Sequence, residues 1–164
     1  MAKCLFTTKY WNYGTHEQVE WSCDSKDEDF QSRPDKCIFH DEDYLQLGTG
    51  RFLEEKNVRT RVMDKVRKSI VDNESLFLIG YYLPDVTIRG NFTKRAYFKE
   101  CRFLGRADFT SAEFSGGAGF GLAKFSGGAD FGLAKFSGGA DFASAEFSGV
   151  AYFRSAKLYL GRDI

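Results

Sequence analysis

Large apolar side chains recur at alternating intervals of five and six residues through the second half of this chain. A small residue, nearly always alanine, stands two positions before each of them. The repeating unit is therefore eleven residues long, as in the stretch Ala-Asp-Phe-Gly-Leu-Ala-Lys-Phe-Ser-Gly-Gly at 129–139. The large apolar positions are Phe98, Phe103, Phe109, Phe114, Phe120, Phe125, Phe131, Phe136, Phe142, Phe147, Phe153 and Leu158.

Neither a helix nor an ordinary strand accommodates this spacing. Recurrent Gly-Gly pairs would cost a helix about 1 kcal/mol per glycine, and side chains spaced by five and six residues would spiral around its axis. The two-residue period of a strand does not match either. The pattern fits a solenoid in which each eleven-residue unit forms two faces, with the large and the small residue both pointing inward.

This pattern resembles the pentapeptide-repeat family, in which a small residue, a polar residue and then Phe or Leu recur along a four-sided coil. The resemblance covers residues 92–158 and implies a mainly β fold, a right-handed quadrilateral β-helix. One additional residue in alternate faces makes a four-faced coil 22 residues long instead of 20. Side chains 22 positions apart should therefore stack. The expected stacks are Phe92–Phe114–Phe136–Leu158, Phe98–Phe120–Phe142, Phe103–Phe125–Phe147 and Phe109–Phe131–Phe153.

The N-terminal cysteines and one histidine form a second motif. Cys37-Ile-Phe-His40 has the C-x-x-H spacing that lets two side chains converge on one ion, and Cys4 and Cys23 complete a tetrahedral Cys₃His set. We expect zinc there. Four protein ligands leave no position for a catalytic water, so the site would be structural. Two alternatives stay open at this point: scattered core thiols, or His16 as a substitute ligand.

The surrounding segment favours the metal interpretation. Residues 1–50 carry 10 acidic and 5 basic side chains, and this composition is too polar to build a core. A short segment of this kind needs a cross-link such as a bound metal ion to fold. The fourth cysteine, Cys101, occupies a small-residue position of the repeat and is expected to be a buried thiol. The C-x-x-H knuckle looks like those of Cys₃His zinc modules, and the segment is similar to leaders on some pentapeptide-repeat proteins.

A connector joins the two parts. Thr49 can cap a helix over 51–71, with apolar residues spaced by four along one side and basic residues on the other. The apolar run at 76–84 ends in Pro84 and predicts a strand that enters the solenoid and, with the helix, caps it. We therefore divide the chain into a Cys₃His zinc-binding segment at 1–45, a connector and capping helix at 46–75 and a pentapeptide-repeat β-helix at 76–164.

The N-terminus has no apolar run long enough for a signal peptide, and no stretch approaches membrane-spanning length. We therefore expect a cytoplasmic protein without membrane contact. Thiols in that compartment are normally reduced, so the cysteines are interpreted as metal ligands or buried side chains before disulfides.

The residue patterns favour some functions over others. No Ser/His/Asp, Cys/His or paired-carboxylate arrangement stands out, so we expect no enzyme and no catalytic residue. The favoured function is an interaction scaffold with a protein partner. A DNA-mimic modulator of a topoisomerase is an alternative, since some pentapeptide-repeat proteins act in this way, but the outward ladders mix charges. Nucleic-acid contact through the zinc segment and basic helix is a further alternative, disfavoured by the −5 charge of residues 1–50. We also expect the bare C-terminal coil to pair with a second copy or a partner.

Overall fold

The structure is a computed structural model that describes residues 4–23, 31–45 and 51–159, without the side chains of residues 31 and 51–53. The N-terminal part holds two small antiparallel sheets. Strands β1 (Thr7–Asn12) and β2 (Glu17–Ser22) form a hairpin, and β3 (Gln31–Arg33) pairs with β4 (Lys36–Cys37). No helix within the described ranges has the length and apolar character needed to cross a bilayer.

Sixteen two-residue strands follow the helix and form four parallel sheets of four strands each. The first sheet contains β5 (Leu76–Phe77), β9 (Ala96–Tyr97), β13 (Ala118–Gly119) and β17 (Ala140–Asp141). The second contains β6 (Tyr82–Leu83), β10 (Arg102–Phe103), β14 (Lys124–Phe125) and β18 (Glu146–Phe147). The third contains β7 (Val86–Thr87), β11 (Ala107–Asp108), β15 (Ala129–Asp130) and β19 (Ala151–Tyr152). The fourth contains β8 (Asn91–Phe92), β12 (Glu113–Phe114), β16 (Lys135–Phe136) and β20 (Lys157–Leu158).

The predicted 22-residue coil is confirmed by the register of these sheets. Arg102 pairs with Lys124, and Ala107 pairs with Ala129. The first coil is shorter, because Leu76 pairs with Ala96, only 20 positions further on. The Phe repeat enters this coil only at Phe92, and so the length of the coil was not visible in the spacing.

All four predicted stacks are present. Phe120 lies between Phe98 and Phe142 with ring centroids 4.7 Å away on both sides and nearly parallel planes. The other ladders repeat this geometry at centroid distances of 4.5 to 5.2 Å, and Phe136 pairs with Leu158 at the end of its ladder. Neighbouring ladders meet edge to face, as at Phe98 and Phe109. Offset and edge-to-face contacts are the favourable arrangements for aromatic pairs. The stacked rings therefore form the core of the later coils together with the buried alanines, while aliphatic residues such as Leu78 and Ile88 fill the first coil.

The first glycine of each Gly-rich corner allows the coils to approach one another. A Cβ added at Gly127 would lie 2.4 Å from the carbonyl oxygen of Gly105, and one at Gly138 would lie 2.3 Å from the amide nitrogen of Gly117. Gly116 and Gly149 are equally close to the backbone of the preceding coil. These positions are therefore closed to any side chain, which explains why glycine recurs every eleven residues.

Helix α1 (Arg51–Val71) has the predicted bounds and covers the first coil. Val58, Val62 and Val66 are buried, which confirms the apolar face that their spacing indicates. The proposed cap Thr49 and the side chain of Phe52 lie outside the described residues. On the polar side, Arg67 pairs with Asp64, and Lys68 pairs with Asp72. Such pairs at a spacing of three or four residues are typical of a solvated helix face.

The prediction of one strand over 76–84 is wrong. This run forms two strands, Leu76–Phe77 and Tyr82–Leu83, which belong to the first and second sheets. The chain turns the corner between them at Gly80, whose φ is +71°. The run is apolar almost throughout because Leu76, Leu78 and Leu83 are buried in the solenoid and Phe77 packs on Tyr10 of the hairpin.

The far end of the solenoid is exposed as expected. Phe147 is 36% exposed, Phe153 is 41% exposed and Leu158 is 53% exposed, whereas the same ladders are fully buried one coil earlier. Residues 160–164 lie outside the described part of the chain. The expected pairing of this end with a second copy or a partner stays a prediction, as does the division of the chain into three segments.

Candidate metal centre

The hairpin brings the first two cysteines together. Thr7 pairs with Ser22 at its open end, so Cys4 and Cys23, which lie just outside the paired residues, are neighbours. The amide of Cys23 donates to the carbonyl oxygen of Phe6 at 3.0 Å and fixes this arrangement. Two residues 19 positions apart are thus placed side by side by antiparallel pairing.

The C-x-x-H motif supplies the other two side chains. Strand β4 ends at Cys37, and a tight turn follows in which the His40 amide donates to the Cys37 carbonyl oxygen at 3.0 Å. The turn directs the Cys37 thiol and the His40 ring to the same point, with Sγ and Nδ1 3.2 Å apart. This is the convergence that the spacing predicts.

The four predicted ligands form one buried cluster. The Cys4 Sγ lies 3.5 Å from the His40 Nδ1, the Cys23 and Cys37 sulfurs are 3.8 Å apart, and all four ligand atoms lie within 4.8 Å of one another. A tetrahedral ion bound at about 2.3 Å to sulfur and about 2.0 Å to nitrogen requires ligand separations of roughly 3.5 to 3.8 Å. The donor set and its dimensions therefore fit a tetrahedral metal ion. All four cysteines of the chain are free thiols, as expected.

The solenoid orients the histidine. The His40 Nε2 lies 2.9 Å from the carbonyl oxygen of Ile79, which belongs to the corner of the first coil. If Nδ1 binds a metal, Nε2 carries the proton and donates it to this oxygen, which holds the ring in the ligating tautomer. The amide of Tyr82 also donates to the Phe39 carbonyl oxygen at 2.8 Å, so the metal-binding turn is attached to the solenoid on both sides of the corner.

An aromatic shell surrounds the cluster. Phe6 stacks on the His40 ring with centroids 4.1 Å apart, and Tyr81 meets that ring edge to face at 5.1 Å. A Cβ at Gly80 would lie 2.2 Å from the Phe6 ring, so glycine is required there both for its backbone conformation and for this contact. The shell excludes water from the four ligands, of which the most exposed, His40, is only 4% accessible.

Hydrogen bonds within the cluster shift the pKa values of its members. Burial lowers the pKa of His40, but hydrogen bonds with the Cys23 and Cys4 sulfurs outweigh it and raise that pKa to about 9. Burial opposes ionisation of Cys4 as well, yet the hydrogen bond with His40 lowers the pKa of its thiol. A hydrogen bond with Cys23, together with burial, raises the pKa of Cys37. Metal binding must therefore displace protons from this cluster.

The positions of His16 and Cys101 show whether either residue can belong to the cluster. His16 is exposed in the hairpin turn, at the opposite end of the hairpin from Cys4 and Cys23, so the alternative that it is a substitute ligand is wrong. Cys101 is completely buried in the solenoid and donates to the Leu78 carbonyl oxygen, as expected for a structural thiol. Burial raises the pKa of the Cys101 thiol.

Sequence reasoning missed the supporting residues Phe6, Ile79 and Gly80. Ile79 acts through its backbone oxygen, which no side-chain pattern reveals. The only available signal was a glycine that interrupts the apolar run at 76–84.

Comparison with known proteins identifies the repeat. The profile of a family described as pentapeptide repeats (9 copies) matches residues 91–135, which lie in the middle of the solenoid. Searches of the curated proteins and of the solved structures found no match to this chain.

Proposed function

We propose that this chain, whose solenoid is built of pentapeptide repeats, is a non-enzymatic scaffold that presents rigid surfaces to a protein partner. In this proposal a structural zinc ion holds the N-terminal segment on the first coil. The observation that carries it is the set of stacked, fully buried rings that occupy the interior along the described ladders, where a substrate would otherwise have to bind. Repeat proteins of this kind place their recognition residues on the outside.

The cluster supports a structural role for the metal. Four protein ligands would complete a tetrahedral shell, and the aromatic residues around them keep water away. A catalytic zinc site instead keeps one coordination position open. Zinc is the ion that best suits three thiolates and one imidazole in this geometry.

The charge distribution favours a protein partner over nucleic acid or a DNA-like surface. Acidic and basic residues on the solenoid pair between coils, as in Arg89 with Asp108 at 2.7 Å and Lys135 with Glu113 at 2.6 Å. A DNA mimic needs an uninterrupted acidic surface, and a nucleic-acid site needs basic residues that are free to contact phosphate. On helix α1, Lys68 is paired with Asp72, and Arg59 donates to the Asp85 carbonyl oxygen.

The metal is tested by measuring the zinc content of purified full-length protein. We expect one zinc per chain, loss of zinc in Cys37→Ser, and no change in the matched control Cys101→Ser, whose hydroxyl can keep the bond to Leu78. A metal-free wild-type protein, or equal zinc content in both variants, would contradict the proposal.

The scaffold role is tested by affinity capture from extracts of the native cell. The baits are the zinc-loaded wild type, the same protein after chelation, and Cys37→Ser. We expect one protein to be recovered in stoichiometric amount by the first bait and depleted from the other two. Turnover of a small molecule by the isolated protein would overturn the non-enzymatic assignment.

A further inference from the structure

A cleft of about 350 Å³ separates the hairpin from the first sheet of the solenoid. Its walls combine aromatic and cationic side chains, among them Lys9, Trp11, Tyr13, Arg95 and Lys99. Lys99 is paired with Glu100 at 2.6 Å. Among the described residues that line the cleft, Asp141 is the one carboxylate, which leaves Lys9 and Arg95 as the cations that face it. This cleft lies outside the filled interior and is distinct from the Cys₃His cluster.

Arg95 is the unusual residue of the cleft. Its guanidinium carbon lies 3.6 Å from the centroid of the Tyr13 ring and 5.8 Å from that of Tyr97. The Nε atom is buried and has no hydrogen-bond partner among the described residues. No described carboxylate lies within 4.0 Å of the guanidinium. Burial lowers the pKa of Arg95 and outweighs the opposing electrostatic effects of Tyr13, Tyr97 and Asp141.

The repeat itself shows what is missing. Arg106 occupies the same position one eleven-residue unit later, and it pairs with Asp130 at 3.4 Å. The position that corresponds to Asp130 in the unit of Arg95 is Gly119, which has no side chain to offer. The guanidinium of Arg95 therefore lacks the carboxylate that its counterpart has.

The remaining carboxylate of the cleft is already engaged. Asp141 accepts a hydrogen bond from the Tyr13 hydroxyl at 3.2 Å and another from the Ala143 amide at 2.9 Å. The Tyr13 ring at the same time covers the guanidinium of Arg95. Tyr13 thus contacts both groups, and Asp141 acts on Arg95 only from beyond salt-bridge distance.

We propose that this cleft binds a small organic oxyanion, a carboxylate or phosphate carried on a flat aromatic body, with the oxyanion on Arg95 and the ring against Trp11. The guanidinium fork suits both oxyanions, because each can accept two parallel hydrogen bonds. Trp11 lines the cleft and is 48% exposed, so its ring is open to stacking. The volume of the cleft is in the range of small-ligand sites.

Binding is tested by calorimetry on zinc-loaded full-length protein with four probes. Benzoate and phenyl phosphate carry both features and separate carboxylate from phosphate, while acetate and inorganic phosphate carry the oxyanion alone. We expect one of the aromatic probes to bind with one-to-one stoichiometry and about tenfold more tightly than its non-aromatic counterpart. Absence of saturable binding by both aromatic probes up to about 10 mM would overturn the proposal.

The matched variants locate the site. Arg95→Gln should weaken binding of the better probe about tenfold or more, whereas Arg106→Gln should leave it unchanged. Trp11→Ala should remove the advantage of the aromatic probe and spare binding of the bare oxyanion. Each variant is checked by thermal melting. Because Gln removes a partly buried guanidinium that forms no salt bridge with a described carboxylate, Arg95→Gln should melt no lower than the wild type. Equal weakening by Arg95→Gln and Arg106→Gln would show nonspecific charge attraction and refute the site.

Discussion

The solenoid and the N-terminal segment are stabilised in different ways. In the solenoid, one packing rule repeats, so a ring in the middle of a ladder, such as Phe120, has equivalent neighbours above and below. In the N-terminal segment, four ligands from three separate stretches meet at a single point. The solenoid should therefore lose stability gradually as contacts are removed, whereas the N-terminal segment should depend on one centre.

Removal of the metal should have the largest effect on stability, and it should affect the N-terminal segment but not the solenoid. Structural zinc sites contribute on the order of 10 kcal/mol or more to the folding of small modules. We expect chelation or Cys37→Ser to abolish hydrogen-exchange protection in Thr7–Asn12 and Glu17–Ser22 while the solenoid strands around 107–136 stay protected. Cys101→Ser is the control. Simultaneous loss of protection in both regions would show that the solenoid needs the metal as well.

Metal binding should also depend on pH. The raised pKa of Cys37 and the pKa of about 9 for His40 mean that both carry protons near neutral pH without metal. Binding must release these protons, so the zinc affinity should fall as the pH is lowered from 8 to 6. The affinity should fall about tenfold per pH unit for each proton released. Competition with a chromophoric chelator measures this. A pH-independent affinity would contradict the cluster as ligand set.

Within the solenoid, Phe120→Ala should cost about 3 to 5 kcal/mol, since it leaves a cavity between two stacked rings. Phe147→Ala is the matched control. Among the described residues Phe147 has a stacking neighbour on one side only, and it is 36% exposed, so its replacement should cost less than half as much. Urea unfolding gives both free energies. Equal losses would mean that the terminal coil is covered in solution, as pairing with a second copy predicts.

The two glycines of one corner provide a finer test. Gly127→Ala should destabilise by about 2 kcal/mol or more, because its Cβ would lie 2.4 Å from the Gly105 carbonyl oxygen. Gly128→Ala meets nothing closer than the Val150 carbonyl oxygen at 3.7 Å, and should be neutral or stabilising by about 0.5 kcal/mol. Thermal melting distinguishes them, and the reverse order would show that the second glycine, not the first, determines coil spacing.

The smallest effect is expected at Asp108. Burial opposes ionisation of this carboxyl, but hydrogen bonds from Thr110 and Arg89 prevail and lower its pKa below the ordinary 3.8. Its contribution is therefore present above pH 3.8 and is lost as the pH falls through the lower folded-state pKa. Asp108→Asn should cost under about 1 kcal/mol at neutral pH. The difference in free energy of unfolding between the variant and the wild type, measured with urea, should become smaller in acid. A difference that does not change with pH would mean that the variant acts through packing.

The repeat region could be predicted in detail because its information is local and periodic. A spacing of 22 residues identifies the neighbours of Phe98 or Phe109 without any knowledge of the rest of the chain. The helix over Arg51–Val71 could also be predicted, from the spacing of its valines. The first coil was not, since its apolar residues do not follow the repeat and Gly80 turns what looked like one strand into two.

The metal ligands could be named from residue type and spacing, because few side chains have this chemistry and Cys37 and His40 are three positions apart. The geometry of the ligands could not be predicted, because it depends on the pairing of the hairpin and on the backbone oxygen of Ile79, which no side-chain pattern reveals. The surroundings of Arg95 were likewise predictable only in part. The missing partner at Gly119 can be seen in the repeat, but the contact with Tyr13 cannot, because only long-range packing brings the hairpin against the solenoid.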